Sequence, residues 1–271
     1  MRALLIATLT TSAALALTTP AMAGGPNQLV ANASASVSGG CACGQQDDKT
    51  STSATVLSSY AQDLGGGAYG HASVTTKYGE QHVYADAFFP TGDPSPDVQS
   101  QGYSEFDENF AAGSVLPGLY NLVFNITGSM STPPVFGPGA NAYLNWVLED
   151  MTHPGTLTFG TWIAGTDPSP LIAPFALSSA DALSLRVMFV ASAYAGVLNP
   201  STKVFADYSH TAHTYINSTT GGPDVIGTSG HDYAQPIGPA VPEPTSWAMM
   251  LIGFGAVGGA LRSRRRTPAA I

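Results

Sequence analysis

Three acids crowd one short segment, Tyr103-Ser104-Glu105-Phe106-Asp107-Glu108-Asn109. On a strand, side chains two positions apart share a face, so Glu105 and Asp107 would be neighbours. Paired carboxylates can run glycoside hydrolysis, one as acid and the other as base or nucleophile. They also suit calcium, which takes oxygen ligands. A solvated strand face is the plainer reading. Asp93 and Asp97 form a second oxygen cluster on a loop, at a spacing that matches no EF-hand. The six histidines are His71, His82, His153, His210, His213 and His231. His210 and His213 fall on opposite faces of a strand and could share a metal only across a bulge, so scattered histidines are the expectation and no metal site is assigned. No Gly-x-Ser-x-Gly, His-Glu-x-x-His or Walker A pattern is present. Trp146, Trp162 and Tyr143 could stack on sugar rings, although such residues more often pack a core. No catalytic residue is assigned.

Cys41 and Cys43 lie in Gly39-Gly40-Cys41-Ala42-Cys43-Gly44. A bridge across one residue is strained, and the flanking glycines help the backbone tolerate it. A local disulfide is the first expectation and intermolecular bridges the second. A metal needs more ligands than this pair supplies nearby.

The elements that must position these residues are strands. Alternating patterns run through Ala54–Tyr60, Tyr69–Tyr78, Gln81–Phe89, Tyr103–Phe110, Leu119–Thr127, Ala142–Leu148, Thr156–Ile163, Leu183–Tyr194, Lys203–Asn217 and Gly230–Ala234. The expected fold class is all-β, with an antiparallel sandwich or jelly-roll-like body. Leu183–Tyr194 and Lys203–Asn217, joined by Gly196–Ser201, read as a hairpin. Pro174–Leu185 could be helical. Residues 24–53, rich in Gly, Ser and Ala, read as a loose arm.

The two ends read as targeting signals. Arg2 precedes an apolar run, Ala3–Leu17, and Ala21-Met22-Ala23 is a small-residue cleavage box. This predicts a signal peptide over 1–23, cut between Ala23 and Gly24. Between the signals, residues 24–241 hold seventeen acids against Lys49, Lys77, Arg186 and Lys203, a net charge of −13. Such a body excludes nucleic acid, whose phosphates demand basic surface. It suits solubility, divalent cations and neutral glycans.

At the far end, Val241-Pro242-Glu243-Pro244 leads into Trp247–Leu261, fifteen residues without charge or proline. Arg262, Arg264, Arg265 and Arg266 follow. At about 1.5 Å rise per residue this helix is short for a bilayer core of about 30 Å, but Arg262 can snorkel outward. The arginines should stay cytoplasmic and hold the body across the membrane.

In its three ordered parts, Pro-Glu-Pro, short apolar helix and basic cluster, the stretch 241–266 resembles the PEP-CTERM sorting domain of Gram-negative bacteria. The resemblance implies Pro242, Glu243 and Pro244 as recognition motif, Trp247–Leu261 as a transient inner-membrane span, and the arginines as the stop. It also implies an exosortase as partner, a membrane cysteine peptidase that cuts near the motif, and hosts that make exopolysaccharide. Thr267–Ile271 run past the usual basic end. The expected function is that of a surface or matrix protein whose non-enzymatic body associates with polysaccharide or serves as a structural module. No cofactor is expected, with calcium the one candidate. A secreted glycan hydrolase acting through the Tyr103–Asn109 acids is the alternative.

Overall fold

The computed structural model describes residues 27–38, 46–51, 56–62, 67–90, 97–131, 139–196, 201–222 and 224–234. The signal peptide, Cys41, Cys43, Asp93 and the whole tail, including the expected span, lie outside them.

Alternation along the chain is alternation in space. On Asp97–Phe110, the side chains of Val98, Ser100, Gly102, Ser104, Phe106, Glu108 and Phe110 turn inward while their neighbours turn outward. The described residues form twelve strands and no helix: β1 Gln28–Ser38, β2 Gln46–Ser51, β3 Val56–Gln62, β4 Tyr69–Lys77, β5 Glu80–Phe89, β6 Asp97–Phe110, β7 Gly118–Met130, β8 Ala140–Asp150, β9 Gly155–Ile163, β10 Leu171–Leu177, β11 Leu183–Gly196 and β12 Thr202–Ser218. They lie in two antiparallel sheets, β2-β1-β6-β11-β8-β9 (sheet A) and β10-β7-β12-β5-β4-β3 (sheet B). The last eight strands pair as one long hairpin rolled up: β5 with β12, β6 with β11, β7 with β10, and β8 with β9. The first four extend the sheets at their β6 and β5 borders.

The sheets stack, and polar side chains cross between them. The Gln81 amide on sheet B donates to the carbonyls of Ser104 (2.9 Å) and Val187 (3.2 Å) on sheet A. Thr76 and Ser104 share a 2.8 Å hydroxyl bond, and Ser100 donates to the Asp86 carbonyl at 2.8 Å. The gap is narrow here because the facing residues are small. Ala31, Ala33 and Ala35 of β1 are fully or almost fully buried, and a Cβ placed on Gly70 would stand 2.8 Å from the Gln99 carbonyl oxygen. Farther across, aromatics widen it: Phe124 and Trp146 rings lie 4.9 Å apart, and Trp162, Phe189 and Tyr208 meet edge to face.

Four expectations are corrected. The arm is not loose, since β1 and β2 occupy much of 24–53 and β1 is an interior strand of sheet A. Its buried alanines are what a narrow gap requires. The β11–β12 hairpin does not exist: β11 pairs with β6 and β8 in one sheet, and β12 with β5 and β7 in the other. A period of two reveals a strand but not its partner. The helical reading of Pro174–Leu185 fails, because Pro174 sits in edge strand β10 and Leu183 opens β11. An edge is where a strand tolerates proline, which has no N–H to give the ladder. Gly230–Ala234 is a closing loop with one bridge, Ile226 to Asp232, rather than a strand.

Candidate functional site

The outer face of sheet A carries the acids singled out by the sequence. Glu105 and Asp107 do share this face, and Arg186 from the neighbouring strand lies between them. Its Nε donates to Asp107 Oδ1 at 2.7 Å and stands 3.4 Å from Glu105 Oε1. The hydrogen bond to Asp107 raises the guanidinium pKa further, against the opposing pull of burial. Tyr103 donates its hydroxyl to Glu105, and burial together with that carboxylate pushes the phenol pKa up. One cation thus bridges both carboxylates in a fixed network. Glu108 takes the opposite direction and is fully buried between the sheets.

Beside this network the register sets side chains in rows. Tyr103, Val190, Tyr143 and Ile163 stand opposite one another across β6, β11, β8 and β9. Gln101, Ser192 and Asn141 form the next row, and Gln99 stands opposite Tyr194. Val190 and Met188 are buried even on this outer face, so the tyrosines rise over an apolar floor. Asp97, at the end of β6, accepts from the Tyr194 hydroxyl. Trp146 and Trp162 belong to the core, whereas Phe159 on edge strand β9 is 75% exposed.

The histidines scatter. His71 pairs with the buried Asp86 at 3.4 Å, and Lys203 approaches the same carboxylate at 2.7 Å. His82 contacts Glu80 and the Ser209 carbonyl, both at 2.6 Å. His231 packs edge-on against Tyr233. His213 lies beside Tyr215, past a bulge between Tyr208 and Ala212. The side chain of His210 lies outside the described ones.

These groups predict acid sensitivity. Burial lowers the pKa of His213 and His231. The His82 hydrogen bond lowers that of Glu80. For Asp86, burial works against ionisation, but His71 and Lys203 outweigh it and hold the carboxyl below its usual value. A group with a lowered folded pKa binds fewer protons folded than unfolded, so acid favours the unfolded chain. Their contribution is complete above about pH 6.5, where the unfolded histidines titrate, and is lost as pH falls through the folded values. A second loss follows below about pH 4 as the carboxylates protonate. The midpoint of urea unfolding should fall steadily from pH 7 to pH 3. A midpoint that rises between pH 7 and pH 5 would contradict these environments.

One cluster was not visible in the sequence. Asp150 ends β8, His153 lies in the following turn, and Asp181 precedes β11, so the fold closes thirty-one positions of chain to bring the acids together. Only the Asp150-x-x-His153 half could have been read.

Residues 240–266 match the PEP-CTERM protein-sorting motif. They include the whole expected signal: Pro242, Glu243, Pro244 and Arg262, Arg264, Arg265 and Arg266. The chain therefore pairs an all-β antiparallel body with an exosortase sorting signal, and that signal implies export through the membrane to the cell surface. No curated protein matches the chain.

Proposed function

We propose that the protein is a non-enzymatic surface or matrix component, delivered by exosortase, whose jelly-roll sandwich binds neutral extracellular polysaccharide through the outer face of sheet A. The observation that carries this reading is the row pattern. Half-buried Tyr103, Tyr143 and Tyr194 offer aromatic rings, and exposed Gln99, Gln101 and Asn141 offer amides, in neighbouring rows of one sheet face. Sugar rings stack their C–H faces on aromatic rings, and their hydroxyls exchange hydrogen bonds with amides. The acidic body disfavours anionic polymers and leaves neutral ones. Because Arg186 ties up Glu105 and Asp107, the geometry favours binding over glycan cleavage.

Affinity electrophoresis in gels containing the host's neutral exopolysaccharide tests this directly. The wild-type protein should be retarded, and a Gln101→Ala/Tyr143→Ala variant should run about as fast as in a plain gel. Both side chains are outward, so the variant should keep its β-sheet circular-dichroism spectrum. Wild-type protein that is not slowed, or a variant slowed equally, would defeat the assignment.

A further inference from the structure

We infer that Asp150, His153 and Asp181 form a zinc site that clips the β8–β9 turn to the segment before β11. The two carboxylates are built in rather than loosely displayed: Asp150 is 8% and Asp181 5% exposed. The backbone N–H groups of Thr152 and His153 each donate to Asp150 Oδ1 at 2.8 Å, and the Ser179 hydroxyl donates to Asp181 Oδ2 at 2.6 Å. Each carboxylate thus has one oxygen fixed by the protein, and Asp150 Oδ2 and Asp181 Oδ1 both turn toward His153 Nδ1.

Two observations point to an ion at the centre. The first is charge. The ligand oxygens of Asp150 and Asp181 lie within 4.8 Å of each other and of the His153 nitrogen. Among the described residues neither makes an ion pair with a Lys or Arg. Two adjacent buried carboxylates repel unless a cation or a proton lies between them. The second is spacing. His153 Nδ1 stands 3.3 Å from Asp181 Oδ1 and 3.7 Å from Asp150 Oδ2. Both spans exceed the roughly 2.7–2.9 Å of a charge-assisted hydrogen bond. They approach the edge of a tetrahedron whose centre lies about 2.0–2.1 Å from each corner, which is about 3.3 Å.

The donor set selects the metal. Calcium takes about six to eight oxygens, more than this cluster brings. One imidazole nitrogen with two carboxylate oxygens suits zinc, with water completing the tetrahedron. His153 is 71% exposed, so an ion can enter from solvent. The clip would hold together segments already joined by backbone bonds, Met151 N–H to the Ala182 carbonyl at 2.8 Å and Ala182 N–H to Thr152 Oγ1 at 2.9 Å.

Differential scanning fluorimetry of the full-length protein in detergent, after chelator treatment, provides the test, with zinc chloride and calcium chloride as probes. Zinc at a hundredfold excess over its dissociation constant should raise the wild-type Tm by roughly 5 °C or more. His153→Ala should fold normally, because the imidazole is exposed, and should lose the shift. Asp181→Asn, which keeps the side-chain size, should lose it too. A wild-type Tm indifferent to zinc would overturn the inference. So would a zinc shift retained in His153→Ala, which would place the ion elsewhere, or an equal shift from calcium that persists without His153.

Discussion

Glu108→Ala should lower the stability of the body by about 3 kcal/mol, a fall of roughly 6–12 °C in Tm at this domain size. Glu108 is fully buried on the inward face of β6 and accepts three hydrogen bonds from the closing loop. The Ser229 backbone N–H donates at 3.0 Å, the Ser229 hydroxyl donates to Oε2, and the Tyr233 hydroxyl donates to the same oxygen at 3.2 Å. Alanine would leave the Tyr233 hydroxyl buried without an acceptor, strip Ser229 of its partner, and open a cavity beneath Gly227, which packs directly on the carboxyl. The loop is also tied at Thr228, whose N–H donates to the Asn109 carbonyl at 2.8 Å and whose hydroxyl donates to Asn27 Oδ1 at 3.0 Å. Tyr233, fully buried against Phe110 and Phe106, is its apolar plug, and its backbone bonds Ile216 and Val225. Calorimetry of the wild type, Glu108→Ala and Glu108→Gln provides the check. Glutamine keeps the volume and one acceptor, so it should cost less than alanine. An alanine variant that melts within about 2 °C of wild type would mean that the loop is held without the Glu108 carboxylate.

This anchor bears on sorting because of its place in the chain. Ala234 is the last described residue, and seven positions separate it from Pro242. Seven residues reach at most about 25 Å when fully extended. A body anchored at Glu108 therefore stays within that reach of the sorting motif, and a body freed of the anchor is not so limited.

Much of the strand content was legible because strongly alternating segments such as Leu183–Tyr194 can bury a face in only one way. Less legible was anything set by which strand meets which. Gln28–Ser38 hides its inward residues as alanine and valine among serines, and their burial makes sense only once β4 is known to lie close opposite. The β11–β12 connection has a length typical of a hairpin, yet the rolled topology sends the two strands to different sheets. For the candidate residues, the period of two correctly placed Glu105 and Asp107 together. The same period puts Glu108 in phase with Phe106 and Phe110, a sign of burial that the sequence itself carries. Arg186 and Asp181 reach their partners only through tertiary pairing, which no local pattern encodes.

Changing Pro242, Glu243 and Pro244 together to alanine should leave export intact and abolish trimming, so that the full-length chain accumulates in the inner membrane. The two prolines fix the backbone extended around Glu243 and deny it helical hydrogen bonds, the form in which a peptidase cleft can take hold of a chain. Alanines there would lift that constraint and favour helix at the motif, since alanine has the best helix propensity. The measurement is a fractionation blot of cells carrying wild-type or triple-alanine protein, tagged within the body and probed in inner-membrane and surface fractions. Wild-type protein should appear shortened at the surface, and the variant should appear at full length in the inner membrane. A triple-alanine protein that is still shortened and still reaches the surface in normal amount would contradict sorting through this motif.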